Sequence, residues 1–133
     1  MAPSLLLDTH VLIRWFASPN LLSREQRRVL EQALRREEQL GISGTSLLEF
    51  AILVGDGKLR LSRSLDHVLD ELRTNPWIEV FPITHTIALE AAYLGILRDP
   101  ADRAIVATAR VHGLRLLTSD QRIVSSNLVS VID

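Results

Sequence analysis

The sequence alternates short apolar runs with stretches long enough for a helix, and this rhythm narrows the possible folds more than any other feature. Ser4–Leu7 (SLLL), Leu40–Ser43 (LGIS), Ile78–Ile83 (IEVFPI) and Leu114–Thr118 (LRLLT) read as strands, with Leu128–Ile132 as a fifth. Helical patterns fill the intervals. They cover His10–Phe16, then Arg24–Glu38, where Ser23 and Gln26 make a capping-box start. A helix carrying Glu49 follows, capped by Thr45 or Ser46, and another opens at Ser64 and ends at Asn75-Pro76. Thr84–Leu94 stops at Gly95, and a last helix runs from Asp99-Pro100 to His112 with Gly113 past its end. Strands alternating with helices predict an α/β fold with a central parallel sheet of four or five strands and helices on both faces. Pro82 lacks an N–H for a ladder, so the end of the third strand is expected near a sheet edge.

The 133 residues suit one domain, expected to span residues 1–133, with a core that buries roughly two-thirds of the unfolded surface. Fifteen basic residues against sixteen acidic ones give a net charge of −1. That balance argues against a protein basic all over, and leaves room for a local basic patch. There is no cysteine, which removes disulfides, thiolate zinc sites and cysteine nucleophiles and fits a reducing compartment. In MAPSLLLDTHVLIRWF, Asp8 and Arg14 interrupt the apolar run and no basic segment precedes it. Neither a secretory signal nor a membrane span is expected there, and the expected location is the cytoplasm. His67, His85 and His112 are scattered without ligand spacing, and no zinc is expected.

In doubly wound sheets, ligands bind outside the carboxyl ends of the strands. Asp8 directly follows the first strand, and Asp120 follows the fourth after Thr118-Ser119. Asp102 shares a helix face with Ile105, Val106 and Ala109, so it looks inward from the helix start. Glu49 lies in TSLLEFAILVG, a segment apolar on nearly every side, where a carboxylate has no capping duty. Each acid alone has a bland reading: Asp8 and Asp99 as helix caps, Asp102 as a dipole partner, Asp120 as a turn residue. Gathered at one edge, they repel. Two carboxylates about 4 Å apart cost about 4 kcal/mol at an effective dielectric near 20. A divalent cation reverses the sign, and oxygen ligands without His or Cys suit Mg²⁺ or Mn²⁺, as one or two ions.

Taken in order, LLLDTHVLIRWF, SLLEFAILVGDGKLRL, RDPADRAIVATAR and LLTSD resemble the PIN-domain nucleases, and in particular the VapC-type toxins of toxin–antitoxin pairs. The resemblance implies a three-layer α/β/α sandwich and Mg²⁺- or Mn²⁺-dependent endoribonuclease activity leaving 5′-phosphate and 3′-hydroxyl ends. Carried over, the family's catalytic and metal-binding acids fall on Asp8, Glu49, Asp102 and Asp120. Asp99 matches an additional acid, and Thr118 or Ser119 matches a hydroxyl beside the last one. RNA as substrate, a cognate antitoxin and a homodimer are implied as well. Trp15, Phe16 and Leu21-Leu22 read first as core packing, and the resemblance implies that the neighbouring groove receives the antitoxin's helical segment. Arg14, Arg98 and Arg103 lie nearest the acids and are candidates for RNA phosphates. Arg24, Arg27, Arg28, Arg35 and Arg36 read as a solvated face balanced by Glu25, Glu31, Glu37 and Glu38. Besides a binding module whose acids only hold a structural ion, two alternatives stand beside this reading. One is a PIN ribonuclease of RNA processing that is not a toxin. The other is a receiver-like phospho-accepting domain, disfavoured because Thr9-His10 follows Asp8 and Lys58 is the only lysine.

Overall fold

The computed structural model describes residues 2–133. Its strands are β1 (Leu5–Leu7), β2 (Leu40–Ser43), β3 (Ile78–Phe81), β4 (Arg115–Leu117) and β5 (Val131–Ile132). All four pairings are parallel, in the order β3-β2-β1-β4-β5. The helices are α1 (Thr9–Ala17), α2 (Arg24–Arg35), α3 (Gly44–Gly55), α4 (Leu65–Thr74), α5 (His85–Ala92), α6 (Pro100–His112) and α7 (Gln121–Val124). A 3-10 turn, Pro19–Leu21, links α1 to α2. β3 is an edge strand, as Pro82 requires.

The period of two along each strand divides the apolar residues between two cores. Leu5, Leu7, Leu40, Ile42 and Leu117 face one side, where they meet Val11, Leu12, Val29, Leu30, Phe50, Val68 and Leu72 from α1–α4. Leu6 and Leu116 face the other side, against Ile87 of α5, Ile105, Val106 and Ala109 of α6, and Ile123 of α7. These two cores under two helical layers make the expected α/β/α sandwich. Leu6 is fully buried, and cutting such a leucine to alanine costs about 2–5 kcal/mol. Gly41 in β2 is required by close approach. A Cβ there would lie 2.8 Å from the Phe81 ring and 2.9 Å from the Leu5 carbonyl oxygen.

The chain changes direction across β1. β2 and β3 build outward on one side of it, then the chain crosses back to place β4 and β5 on the other. The crevice at the carboxyl ends of β1 and β4 is therefore the topological switch point, the usual ligand position in such sheets.

Several element limits differ from the sequence expectation. α2 stops at Arg35, because Arg36 is its cap and Glu37 turns left-handed at φ 58°. β3 ends at Phe81 and α5 at Ala92, with the Leu94 and Leu97 N–H groups turning back onto the Ala91 and Leu94 carbonyls. β5 keeps only two residues, since Asn127 takes a left-handed turn at φ 57° just before the expected start. Ser43, not Thr45 or Ser46, caps α3: its Oγ accepts the Thr45 N–H at 3.0 Å, so the helix begins where β2 ends. α3 is not enclosed all round, because Leu48 and Ile52 are exposed. α6 matches the expectation at both ends, with Asp99 as N-cap and Gly113 left-handed at φ 65°. On α2, Arg28 pairs with Glu25 on an exposed face, as the solvated reading had it. No helix among the described residues is long and apolar enough to cross a membrane.

Candidate functional site

Asp8 leaves β1 and caps α1 at the switch point, almost fully buried. Its Oδ1 accepts the Thr9 N–H at 2.7 Å, and its Oδ2 accepts the Thr118 hydroxyl at 2.7 Å. Thr118 follows β4, is fully buried, and accepts the Asp120 N–H at 3.1 Å on the same hydroxyl. One side chain thus ties the acid after β1 to the acid after β4. Asp120 in turn caps α7, accepting the Arg122 N–H at 3.0 Å.

Thr9 makes the corresponding link to α3. Its hydroxyl donates to Glu49 Oε1 at 2.6 Å, and Ser46 Oγ lies 2.9 Å away, so Ser46 donates to Thr9. This answers why a carboxylate interrupts an apolar helix: Glu49 turns toward the strand ends and a neighbouring hydroxyl satisfies it. His10 completes the buried side. Its Nε2 accepts the Ser119 N–H at 2.9 Å, which leaves the ring proton on Nδ1, 3.4 Å from Asp8 Oδ2. Burial pushes the imidazole below its ordinary value against the pull of Asp8, in keeping with a neutral ring.

α6 runs back from the carboxyl edge to β4, so its first turn lies at that edge. Asp99 caps it, accepting the N–H groups of Ala101 at 2.8 Å and Asp102 at 3.4 Å. Asp102 looks inward above the buried Ile105, Val106 and Ala109, its side chain 15% exposed. Burial first, then Asp99, Asp120 and Asp8, push its carboxyl up to about 6, while Arg122 opposes them. Asp120 moves the other way, held below the ordinary range chiefly by its hydrogen bond from Arg122. The Arg122 guanidinium meets Asp120 Oδ2 at 2.8 Å and lies 3.5 Å from Asp102 Oδ2.

Asp8, Asp99, Asp102 and Asp120 therefore share one electrostatic neighbourhood, and Glu49 joins it through Thr9. Thr118 is the hydroxyl beside the acids. Ser119 is not: its Oγ accepts from Gln26 Nε2 at 3.2 Å and faces α2. Arg103 spends its Nε on the Leu97 carbonyl, closing the loop before α6. Arg98 is exposed and Arg14 half-buried. Sequence reasoning missed Arg122, Thr9 and Ser46. The cue for Thr9 was its place beside Asp8; Arg122 carried none beyond lying two residues from Asp120.

The donors suit a hard dication: all are carboxylate oxygens, and Asp99, Asp120 and Asp8 all act on Asp102. Among the described residues, no three His, Cys, Asp or Glu side chains converge closely enough to hold an ion as they stand. Both oxygens of Asp120 are turned to Arg122, and Glu49 Oε1 to Thr9.

A parallel α/β/α sandwich with acids at the edge of its switch point defines the class of protein. The PIN domain model matches residues 5–125, and the chain belongs to the PIN-domain family. It is 34% identical over 122 residues to Ribonuclease VapC22 of Mycobacterium tuberculosis, covering 90% of this chain and 89% of that one. Two solved structures share the fold. A toxin–antitoxin complex from Klebsiella pneumoniae superimposes with a TM-score of 0.69 at 23% identity, covering 98% of this chain and 97% of its own. VapBC2 from Rickettsia felis, bound to a DNA fragment from its promoter, gives 0.71 at 15% identity, covering 99% and 98%. Membership in the PIN-domain family removes the receiver-like alternative.

Proposed function

We propose that this protein is an endoribonuclease dependent on Mg²⁺ or Mn²⁺ and the toxin of a type II toxin–antitoxin pair. The observation that carries the reading is the near full-length relation to a protein named a ribonuclease. The acids at the carboxyl edge of β1 and β4 support it with a chemistry. Asp8, Asp102, Asp120 and Glu49 would hold one or two ions. A bound dication lowers the pKa of a coordinated water and offsets charge on a phosphate oxygen.

The chain's own residues prepare that chemistry. Thr9 and Thr118 fix the Asp8 carboxylate by a hydrogen bond to each oxygen. The neutral His10 adds its Nδ1 proton toward Oδ2 and ties the loop after β4 to α1. Asp102 must lose its proton to act as a ligand, and its value of about 6 lets that happen at neutral pH. The reaction adds one water across a phosphodiester bond and leaves a 5′-phosphate and a 3′-hydroxyl. A cognate antitoxin, a homodimer and a cytoplasmic setting belong to the same reading.

The test is direct. The purified protein should cleave RNA with Mn²⁺ or Mg²⁺ and stop on chelation, and Asp8→Asn and Asp102→Asn should each lose about a hundredfold or more in rate. Growth arrest on expression, relieved by the product of an adjacent small gene, tests the toxin assignment. Cleavage that is indifferent to both substitutions would overturn the site; cleavage without growth arrest would favour a PIN ribonuclease of RNA processing.

A further inference from the structure

Arg122 has no part in the set of acids, yet it is the cation they meet. Its Nε and backbone N–H both bond Asp120 Oδ1, at 3.2 and 3.0 Å, and its Nη2 bonds Oδ2 at 2.8 Å, so both oxygens of Asp120 are engaged by one residue. The same Nη2 lies 3.5 Å from Asp102 Oδ2. A guanidinium cannot be deprotonated here and cannot serve as a metal ligand. Any dication that takes oxygens from Asp120 therefore competes with it for the same lone pairs, and one beside Asp102 meets the same positive charge. The side chain is 72% exposed, so it can leave without unpacking the core.

Resting on the metal-dependent nuclease reading, we infer that Arg122 is an internal counter-ion of the acidic site. It pairs with Asp120 and offsets part of the charge on Asp102 before the dication arrives, is displaced when the dication binds, and then contacts a phosphate of the RNA. The planar fork that grips a carboxylate bidentately suits a phosphate equally. Displacement leaves that fork at the rim of the site, where a polyanionic substrate replaces the lost carboxylates. Metal loading and grip on the substrate are coupled through this one side chain.

The test compares wild type with Arg122→Gln at pH 8. Mn²⁺ affinity is measured by calorimetry, and affinity for a labelled single-stranded RNA is measured by anisotropy with Ca²⁺ in place of Mn²⁺. Arg122→Gln should bind Mn²⁺ about three- to tenfold more tightly, the scale of losing one partly exposed ion pair. It should bind RNA about three- to tenfold more weakly, with a shallower dependence on salt. Equal or weaker Mn²⁺ binding by the variant would overturn the counter-ion role, and unchanged RNA affinity would overturn the phosphate contact. A wild type that binds no Mn²⁺ at all would overturn the metal reading beneath both. Circular dichroism melting checks that the variant is folded.

Discussion

Thr118 donates its hydroxyl proton to Asp8 Oδ2 at 2.7 Å across a sequence separation of 110 residues. The bond is buried, and the same oxygen atom of Thr118 accepts the Asp120 N–H. Replacing Thr118 by Val keeps the shape and deletes both interactions. It leaves a buried carboxylate oxygen short of a donor, a loss of about 1–3 kcal/mol in stability. RNA cleavage should fall about 10- to 100-fold, as for partners that orient a metal ligand. Thr118→Ser, which keeps the hydroxyl, should recover most of it. Equal activity of the Val and Ser variants would show that the hydroxyl does not position Asp8.

The Asp102 carboxyl makes metal-free stability depend on pH. Its folded value of about 6 exceeds the ordinary 3.8, so the folded state binds the proton more tightly than the unfolded one. This group's contribution is therefore fully present below about pH 4, declines between about pH 4 and 6, and stays lost above. After allowance for solvent screening, the decline amounts to about 1–2 kcal/mol. Urea unfolding in chelator should show Asp102→Asn gaining on wild type across that window and staying ahead at pH 7.5. A difference independent of pH would refute it. For the same reason, Mn²⁺ affinity should drop below pH 6 in the wild type.

Asp99 caps α6, and the two roles open to it are separable. Asn and Ser cap nearly as well as Asp, whereas Ala loses about 1 kcal/mol. If capping is its main duty, Asp99→Asn and Asp99→Ser should keep wild-type stability and near wild-type cleavage, with Asp99→Ala less stable. Loss of cleavage in all three alike, measured well below their melting points, would place Asp99 among the groups that act on the ion.

Gly41→Ala tests the sheet itself. The added methyl would meet the Phe81 ring and the Leu5 carbonyl oxygen at under 3 Å. The backbone oxygen cannot step aside as a side chain can. A loss of about 1–3 kcal/mol is expected from thermal or urea unfolding. No change in stability would mean that β1 and β2 separate more easily than their packing indicates.

The sheet and α6 were legible in the sequence because each repeats a local signal: short apolar runs for the strands, Asp99-Pro100 and Gly113 at the helix ends. Asp8 and Asp120 were legible because they sit where strands stop, and strand ends share an edge. α7 was not, since its four residues complete barely one turn and show no helical period. The Ser43 cap was hidden because strand and helix abut without a loop, so the serine reads equally as the last strand residue. Glu49 was visible as an anomaly, but Thr9, its partner, lies 40 residues away, and only folding brings the two together. Arg122 stood in a polar turn like any surface arginine; its meaning depends on the placement of Asp102, which local spacing does not reveal.

The central strand β1 is synthesised first, but β4, its neighbour on one side, comes only after β2 and β3. A growing polypeptide carries Asp8 through the making of β2 and β3 without Thr118 or Asp120 to stand against it. If the chain cuts RNA, the order of its strands withholds that capacity until β4 and the residues just after it have been made.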